Sequence, residues 1–568
     1  MERGILSFWR VRSLMPIVRG IISIIRHVAV PRSTLLVAAL FGLLTLWPPV
    51  LHTLHPAFQG LTVIRDKDYG NYYSRLQRAL SGHGEEADNG ITPIGSDIEG
   101  AQVAGTERVV GALFSWTGLP APTLAVILGP FLVAAVFLLL ISLFSHLGFR
   151  HRWSLGMATV YVFILFHVVT RVVHPGWSFI PALAALVSFL WFWKHPSFLL
   201  ALVAGLLLGM LPYLYFWHWT YLWAVVGSLV AISLVARTRE SRFHFPLATS
   251  HLFLLVCVTL LISSPFFLHL RELMQHPLYD QVALRGGFLS TRGVESLPRS
   301  LLLTLQVGLF LSLFREQKGQ WGYLSALSLL LGVLIAMHQN LLHGRLLMFS
   351  SHFYPHLVLS SLVAGAWVMI HPVAMMQRMA IAGISLLFLA GAVVDYLPAY
   401  DSFLPRENAM RDQHLHDPIR LLRRNAVRDV VLTDAHTGRV LTSFSEDGIV
   451  YTTHARFLLI SDEDMAERFC LSELFSPSPP DAYRAIYMEY NAVLDSQAMR
   501  ERERTLVRAA CGRVREEPLP SLRKYGVTHV LWNRSRRPEW NVLLYDLPLE
   551  VVANGDAWLL LALRPSVP

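Results

Sequence analysis

The chain has 568 residues, 54% of them apolar and only 15% charged, with a formal net charge of +9 and a mean hydropathy of +0.45. Soluble chains carry closer to a quarter charged residues, so a single water-soluble globule is excluded. The basic residues form short clusters at the ends of apolar blocks rather than a patch interleaved with aromatics, which argues for a membrane and against nucleic acid as the partner.

Residues 1–32 carry Arg3, Arg10, Arg12, Arg19, Arg26 and Arg32 among apolar side chains. No uncharged core precedes a small-residue cleavage site, so the segment reads as a basic amphipathic stretch on the cytoplasmic face of a membrane. A span needs roughly 20 apolar residues. Eleven candidates follow, at about 34–52, 122–148, 153–173, 178–194, 197–214, 217–236, 248–269, 298–314, 321–338, 354–371 and 380–398. With the N-terminus inside, the short loops holding Arg150, Arg152, Lys194, Arg237, Arg239, Arg315, Lys318 and Arg378 are cytoplasmic, while the long, mixed-charge loops lie outside. An odd number of spans then places the tail outside as well. The expected fold class is mostly α: residues 33–399 form a polytopic helical domain with a large first outer loop at 53–121, and residues 400–568 form a soluble α/β domain.

The first outer loop opens with Arg65, Asp66, Lys67 and Asp68, directly beyond the first span. A partly desolvated carboxylate there can serve as a general base or a metal ligand. The alternative, a solvated and self-neutralising flank, stays open on these residues alone. The stretch "YGNYYSRLQRAL" places Tyr69, Tyr72, Tyr73 and Leu76 on one helix face, and "EGAQVAGTERVVGALFSWTGL" reads as a second helix. Glu99 and Glu107 are further carboxylate candidates in this loop. On the third span, His167 and Arg171 are i, i+4 neighbours near the outer end. The loop "YDQVALRGGFLSTRG" supplies Tyr279, Asp280, Arg285 and Arg292. The last outer loop, "AMHQNLLHGRLLMFSSHFYPH", supplies His338, His343, Arg345, His352 and His356. Arginine grips a phosphate in a bidentate way that lysine does not match. The outer face therefore gathers carboxylates in one loop and arginines in two others, as transfer from a lipid phosphate requires.

In the tail, "DPIRLLRRNAV" reads as a helix, "DVVLTD" and "RVLTSF" as short buried strands, and "SDEDMAERFCLSELF" as a capped helix start. "LRKYGVTHVLWN" reads as helix, Gly, strand, and "LEVVANGDAWLLLAL" as a hairpin. Asn533 to Ser535 fits the glycosylation sequon, a triplet common by chance. The three cysteines show no metal-ligand spacing; Cys470 and Cys511, in the tail, either pair or remain free thiols.

A long first outer loop that opens with an acidic stretch just past the first span, runs through helices into "GALFSWTGLPAPTLAVILGPFLVAAVFLLL", and is followed by about eleven spans and an outer α/β tail resembles the C-type (GT-C) integral-membrane glycosyltransferases. That resemblance implies transfer of a sugar from a polyprenyl-phosphate-linked donor to a lipid, glycan or protein acceptor on the extracytoplasmic face of the cytoplasmic membrane. Asp68, with Asp66 beside it, would be the catalytic base. The donor phosphate falls to Arg345, Arg285 and Arg292, with Glu99, Glu107, His343, His352, Tyr279 and Asp280 as further candidates. The intervening Lys67 departs from the family's simpler acidic motif. The residues identify no cofactor with certainty, and a divalent cation is left open. A non-catalytic scaffold for cell-envelope polysaccharide assembly is the alternative. A transporter or flippase fits less well, because the chain shows no internal repeat and its polar residues lie toward the outer ends of the spans.

Overall fold

The computed structural model describes residues 31–64, 69–82, 91, 105–170, 176–239, 249–286, 289–290, 294, 296–318, 320–346, 350–400, 404, 410–424, 428–477, 486–487 and 497–564. The basic segment at 1–30 lies outside them, as do Asp66, Asp68, Glu99, Arg171 and Arg292.

The helices of the bundle are α1 (Arg32–Leu44), α2 (Trp47–Thr53), α3 (Tyr69–Leu80), α4 (Gly105–Phe114), α5 (Ala121–His146), α6 (His151–Ile164), α7 (Phe166–Val169), α8 (Gly176–Lys194), α9 (Phe198–Leu214), α10 (Phe216–Arg239) and α11 (Thr249–Gln275). They continue with α12 (Tyr279–Arg285), α13 (Leu297–Ser312), α14 (Phe314–Gln317), α15 (Trp321–Met337), α16 (Gln339–His343), α17 (Tyr354–Ile370) and α18 (Met375–Tyr400). Each of the eleven expected spans is met by helix. Among the described residues, six stretches, Arg32–Thr53 across α1 and α2 being one, are long and apolar enough to cross a membrane, and α9, α13, α15 and α17 are shorter apolar helices. The third span is broken at Leu165 into α6 and α7. Large apolar side chains such as Leu36, Phe131, Phe163, Leu261, Met376 and Val394 face outward. Lipid accepts such a surface and water does not. Inside, a buried polar knot joins three helices: Gln306 Nε2 donates to Ser385 Oγ (2.9 Å), and Ser361 Oγ donates to Gln306 Oε1 (3.0 Å). In an apolar medium, hydrogen bonds and close packing supply the specificity that hydrophobicity cannot.

The tail contains α19 (His416–Leu422), β3 (Val430–Leu432), α20 (Ala435–Phe444), β4 (Gly448–Ile449), α21 (Asp462–Ser472), α22 (Gln497–Glu516), α23 (Pro518–Lys524), β5 (His529–Asn533), β6 (Leu549–Asn554) and β7 (Trp558–Leu563). Two short strands, β1 (Leu289–Ser290) and β2 (Arg345–Leu346), precede them in the membrane domain. The tail sheet has the order β4-β3-β5-β7-β6, parallel across the first three strands and antiparallel beyond. The expected hairpin, the capped helix at Ser461 and the Gly526 turn (φ +65°) are all present. "RVLTSF" is not a strand. It is the C-terminal part of α20, because Asp434 caps that helix through the His436 and Thr437 amides (3.0 and 3.1 Å) and carries the chain across from β3 to its parallel neighbour β4. Asn533 of the sequon is 1% exposed; its Nδ2 donates to Thr437 Oγ1 and its Oδ1 is 2.9 Å from His414 Nε2. It is closed to a glycosylating enzyme.

Cys470 and Cys511 are joined, linking α21 to α22 across 41 residues of sequence. Loop-closure entropy for that separation gives about 4 kcal/mol of tail stability. Replacing both cysteines with alanine should lower the tail's unfolding free energy by about 2–4 kcal/mol, read as earlier proteolysis of the tail on heating, while the bundle's own melting is unchanged.

Candidate functional site at the outer end of the bundle

The first outer loop is locked between bundle and tail. Every residue from Tyr73 to Leu80 is buried. Tyr73, Leu76 and Leu80 pack with Val110 of α4, Leu124 of α5 and Trp177 of α8. The face predicted from spacing is therefore real for Tyr73 and Leu76. The opposite face is buried as well: Ser74 Oγ lies 2.6 Å from Thr442 Oγ1 of α20, and Gln77 Oε1 accepts from the Ala121 amide that opens α5 (2.9 Å). Helices α3 and α4 cross so closely that a Cβ on Gly111 would lie 2.6 Å from the Ala79 backbone. At Gly105 a Cβ would lie 1.9 Å from the Tyr213 carbonyl oxygen, beside Thr106 Oγ1, which donates to Leu214 O (3.0 Å). The residues just ahead of the acidic stretch are fixed too. Gln413 of the tail accepts from the Gln59 and Leu61 amides (2.9 and 3.2 Å) and donates to Leu61 O (2.7 Å), while Thr62 pairs with Thr123 of α5 (3.0 Å). Ile91, further along the loop, bridges in parallel to Ile449 on the sheet edge.

Glu107, one of the candidate carboxylates, forms an ion pair with Arg75 at 3.1 Å, with side chains 1% and 3% exposed. A pair so buried is an internal strut between α4 and α3, and its carboxylate is spent there.

Arg285 is likewise placed away from a donor phosphate. It is fully buried, and its guanidinium donates to Asp462 Oδ1 (2.8 Å) and to the carbonyls of Arg456, Leu458 and Ile460 (3.3, 2.8 and 2.7 Å). Asp462 Oδ2 in turn accepts from Tyr487 (2.7 Å) and Arg502 (3.2 Å). Burial pulls the arginine's pKa down and Asp462 pulls it back up. Arg285 is thus the anchor of the tail on this outer loop, the reverse of the phosphate grip its sequence position suggested. Tyr279 packs with Leu273, Val282 and Leu459 in the same joint, and Asp280 is exposed beside it.

The remaining outer loops are zipped together. Strands β1 and β2 are antiparallel, with Ser290 opposite Arg345 and Leu289 opposite Leu346. The backbone of Arg345 is thereby placed opposite Ser290; Arg292 lies outside the described residues, and the side chains of Arg345 and His343 are not among those described.

Behind these loops, at the outer helix ends, lies a buried polar cluster that the sequence reading missed apart from two of its histidines. Ser178, His218 and His356 are each the third residue of α8, α10 and α17. His218 Nδ1 lies 3.0 Å from His356 Nε2, and His218 Nε2 lies 3.1 Å from Ser178 Oγ. Three helix N-termini, each carrying a partial positive charge, therefore converge. His356 stacks on Tyr221 (centroids 4.2 Å apart), whose hydroxyl reaches Ser360 Oγ (3.1 Å). Toward the surface, Tyr215 packs at 4.9 Å on His218, and its hydroxyl lies 3.4 Å from His352 Nδ1. His352 stacks on Trp217 at 4.8 Å. His352 is thus at the rim of a ladder of rings that ends at His356, which is 2% exposed and whose Nδ1 has no hydrogen-bond partner among the described residues. The chain of imidazoles and hydroxyls can hold or pass a proton, and the converging N-termini favour an anion at its mouth. The signal for His218 and Ser178 was their shared position one turn inside an outer helix start, which single-loop reading does not combine. Among the described residues, no group of three or more His, Cys, Asp or Glu is placed to hold a metal ion.

The fold defines a polytopic membrane protein whose buried polar cluster lies at the end of the bundle that meets the tail. No family model matches the chain. No curated protein matches it. Among solved structures, it is similar to that of ArnT from Cupriavidus metallidurans bound to undecaprenyl phosphate, at 14% identity and a TM-score of 0.44, covering 94% of this chain and 98% of that one.

Glu107→Gln should destabilise the loop by about 3–5 kcal/mol, because it removes the negative charge 3.1 Å from the buried Arg75 guanidinium. The double change Arg75→Met, Glu107→Leu should recover most of that loss. Protease sensitivity between residues 82 and 105 reads both. An inactive Glu107→Gln protein with unchanged stability would instead make Glu107 a reacting group.

Proposed function

We propose that the chain is a GT-C-type membrane glycosyltransferase, moving a sugar from a polyprenyl-phosphate-linked donor to a lipid, glycan or protein acceptor. In this reading it sits in the cytoplasmic membrane with its N-terminus inside and its reaction face and tail outside. One observation carries the proposal. The described residues on both sides of the acidic stretch are held in place: Leu61 and Thr62 by Gln413 and Thr123, and α3 by Thr442 and Ala121. A solvated flank needs no such clamping, whereas a general base must be held near its target. The disulfide supports the outward placement, since such bonds persist in oxidising compartments. The pairing of β1 with β2 supports bringing the two arginine-bearing loops together at Ser290 and Arg345.

Asp68, or Asp66 beside it, takes the proton from the acceptor hydroxyl as that oxygen bonds to the sugar's anomeric carbon. The bond from that carbon to the phosphate oxygen breaks, and the electron pair leaves on the polyprenyl phosphate. Arg345 and Arg292 are assigned to the charge that develops there. The ring ladder from His352 to His356 forms the polar wall on the bundle side. The proposal assigns no role to a metal ion.

The test is transfer of labelled sugar from polyprenyl-phosphate donors by the full chain in lipid, with an envelope extract as acceptor. Asp68→Asn or Asp66→Asn should reduce the rate by about 10²–10⁴-fold without altering the tail's protease resistance. Undiminished transfer in both variants overturns the assignment. A folded wild type that moves no sugar but co-purifies with envelope-assembly proteins would favour the scaffold reading, which the structural use of Arg285 and Glu107 keeps in play.

A further inference from the structure

The tail carries a cavity of its own, away from the polar cluster of the bundle. It is an open cleft of about 440 Å³ at the C-terminal ends of the parallel strands β3 and β5, lined by Arg411, His436, Arg439, Ser535, Arg536 and Arg537 with Asp434 at its base. Crevices at that edge of a parallel sheet are where ligands of α/β domains sit. The volume falls in the range of small-molecule sites and exceeds what an inorganic anion fills.

Four arginines from three separate chain segments line one small cleft, with carboxylates set beside them. The nearby carboxylates position them rather than fill the cleft. Glu473 is buried and ion-paired to Arg537, which also reaches Glu539 (3.2 Å). Burial raises the Glu473 carboxyl above its ordinary value, and Arg537 opposes that rise. Asp412 is turned to His436 (2.8 Å); burial pushes its carboxyl up, but the His436 contact and the Arg536 charge outweigh this and hold it below the usual range. Asp434 is the N-cap of α20, its oxygens accepting from the His436 and Thr437 amides and from Thr437 Oγ1 (2.5 Å), with Arg536 Nε at 3.5 Å. The capped helix end therefore does not itself make the site; the guanidinium groups do. Arg536 and Arg537 keep about a third of their side chains open to solvent, at 32% and 30%.

The cleft is also tied to the segment that follows the first apolar helices. Gln413, two residues beyond Arg411, grips the backbone of Gln59 and Leu61, a few residues past the end of α2 at Thr53. Two residues span at most about 7 Å.

We infer that this cleft binds a phosphomonoester head group of sugar size, taken either from a phosphorylated lipid at the membrane surface or from a soluble sugar phosphate. Guanidinium forks match the oxygens of a phosphate dianion, and the remaining volume takes the attached polar group, for which Ser535 and His436 offer hydrogen bonds. The inference does not depend on the transfer reaction, because a chain that transfers nothing would still bind at this cleft.

The experiment uses the full chain in nanodiscs. One arm titrates glucose 1-phosphate into neutral phosphatidylcholine discs by calorimetry, with glucose as control. The other compares the chain's affinity for phosphatidic acid and phosphatidylcholine, using a fluorescent lipid probe. Saturable binding of the phosphate-bearing probe in either arm is expected, and the arm that responds names the source. Arg536→Gln with Arg439→Gln should weaken it about tenfold or more, in line with the usual strength of charge-assisted hydrogen bonds. Ser535→Glu, at an exposed position, should weaken it without touching an arginine. Both variants should retain the Cys470–Cys511 link and the wild-type proteolysis pattern. No saturable binding in either arm, or binding undiminished in Ser535→Glu and in the arginine variant, overturns the site. Loss of binding only where the proteolysis pattern also changes is judged by Ser535→Glu alone.

Discussion

Burial of the first outer loop is the constraint on which the rest of the outer structure depends. Helix α3 carries Arg75, Gln77 and Arg78 into a fully buried position, at 3%, 6% and 2% exposure. That is tolerable only if each polar group finds a partner on the bundle or the tail. Glu107 of α4 meets Arg75 and the Ala121 amide of α5 meets Gln77, while Thr442 of α20 meets the neighbouring Ser74. The loop therefore orders only when bundle and tail are both folded around it. The edge of the tail sheet, bridged by Ile91, is completed by the same loop.

A second joint, on the other side of the tail, works by the same physics. Arg285 is committed to Asp462 and three carbonyls, so the loop after α11 cannot leave the tail without exposing or stranding a charge. Between the two joints, the β1–β2 ribbon and the ring ladder from His352 to His356 close the outer end of the bundle. A membrane protein that needed its tail only for solubility would have no reason to sink charges into these joints. They fix the tail to the end of the bundle at two separate places.

How much of this was legible depends on range. The spans, the face of α3 containing Tyr73 and Leu76, the capped start of α21 and the β6–β7 hairpin were legible because each rests on periodicity or local capping within about a dozen residues. "RVLTSF" was misread because a short apolar run fits strand and helix alike, and the Asp434 cap that decides it lies five residues upstream of Arg439. The candidate site was legible only as a set of loops. Arg285 and Glu107 carry the charge expected of functional residues, but their roles are set by Asp462, 177 residues away, and by Arg75, 32 residues away, which no local pattern announces. The His218–His356 contact spans 138 residues and was invisible for the same reason.

The sequence by itself determined that the chain is a membrane bundle with an α/β tail, because hydropathy and charge placement are properties of each segment alone. The tertiary structure alone decided which charged residues face a cavity and which are buried as struts, because a charge's role depends on the partner that repays its desolvation, and that partner comes from a distant part of the chain.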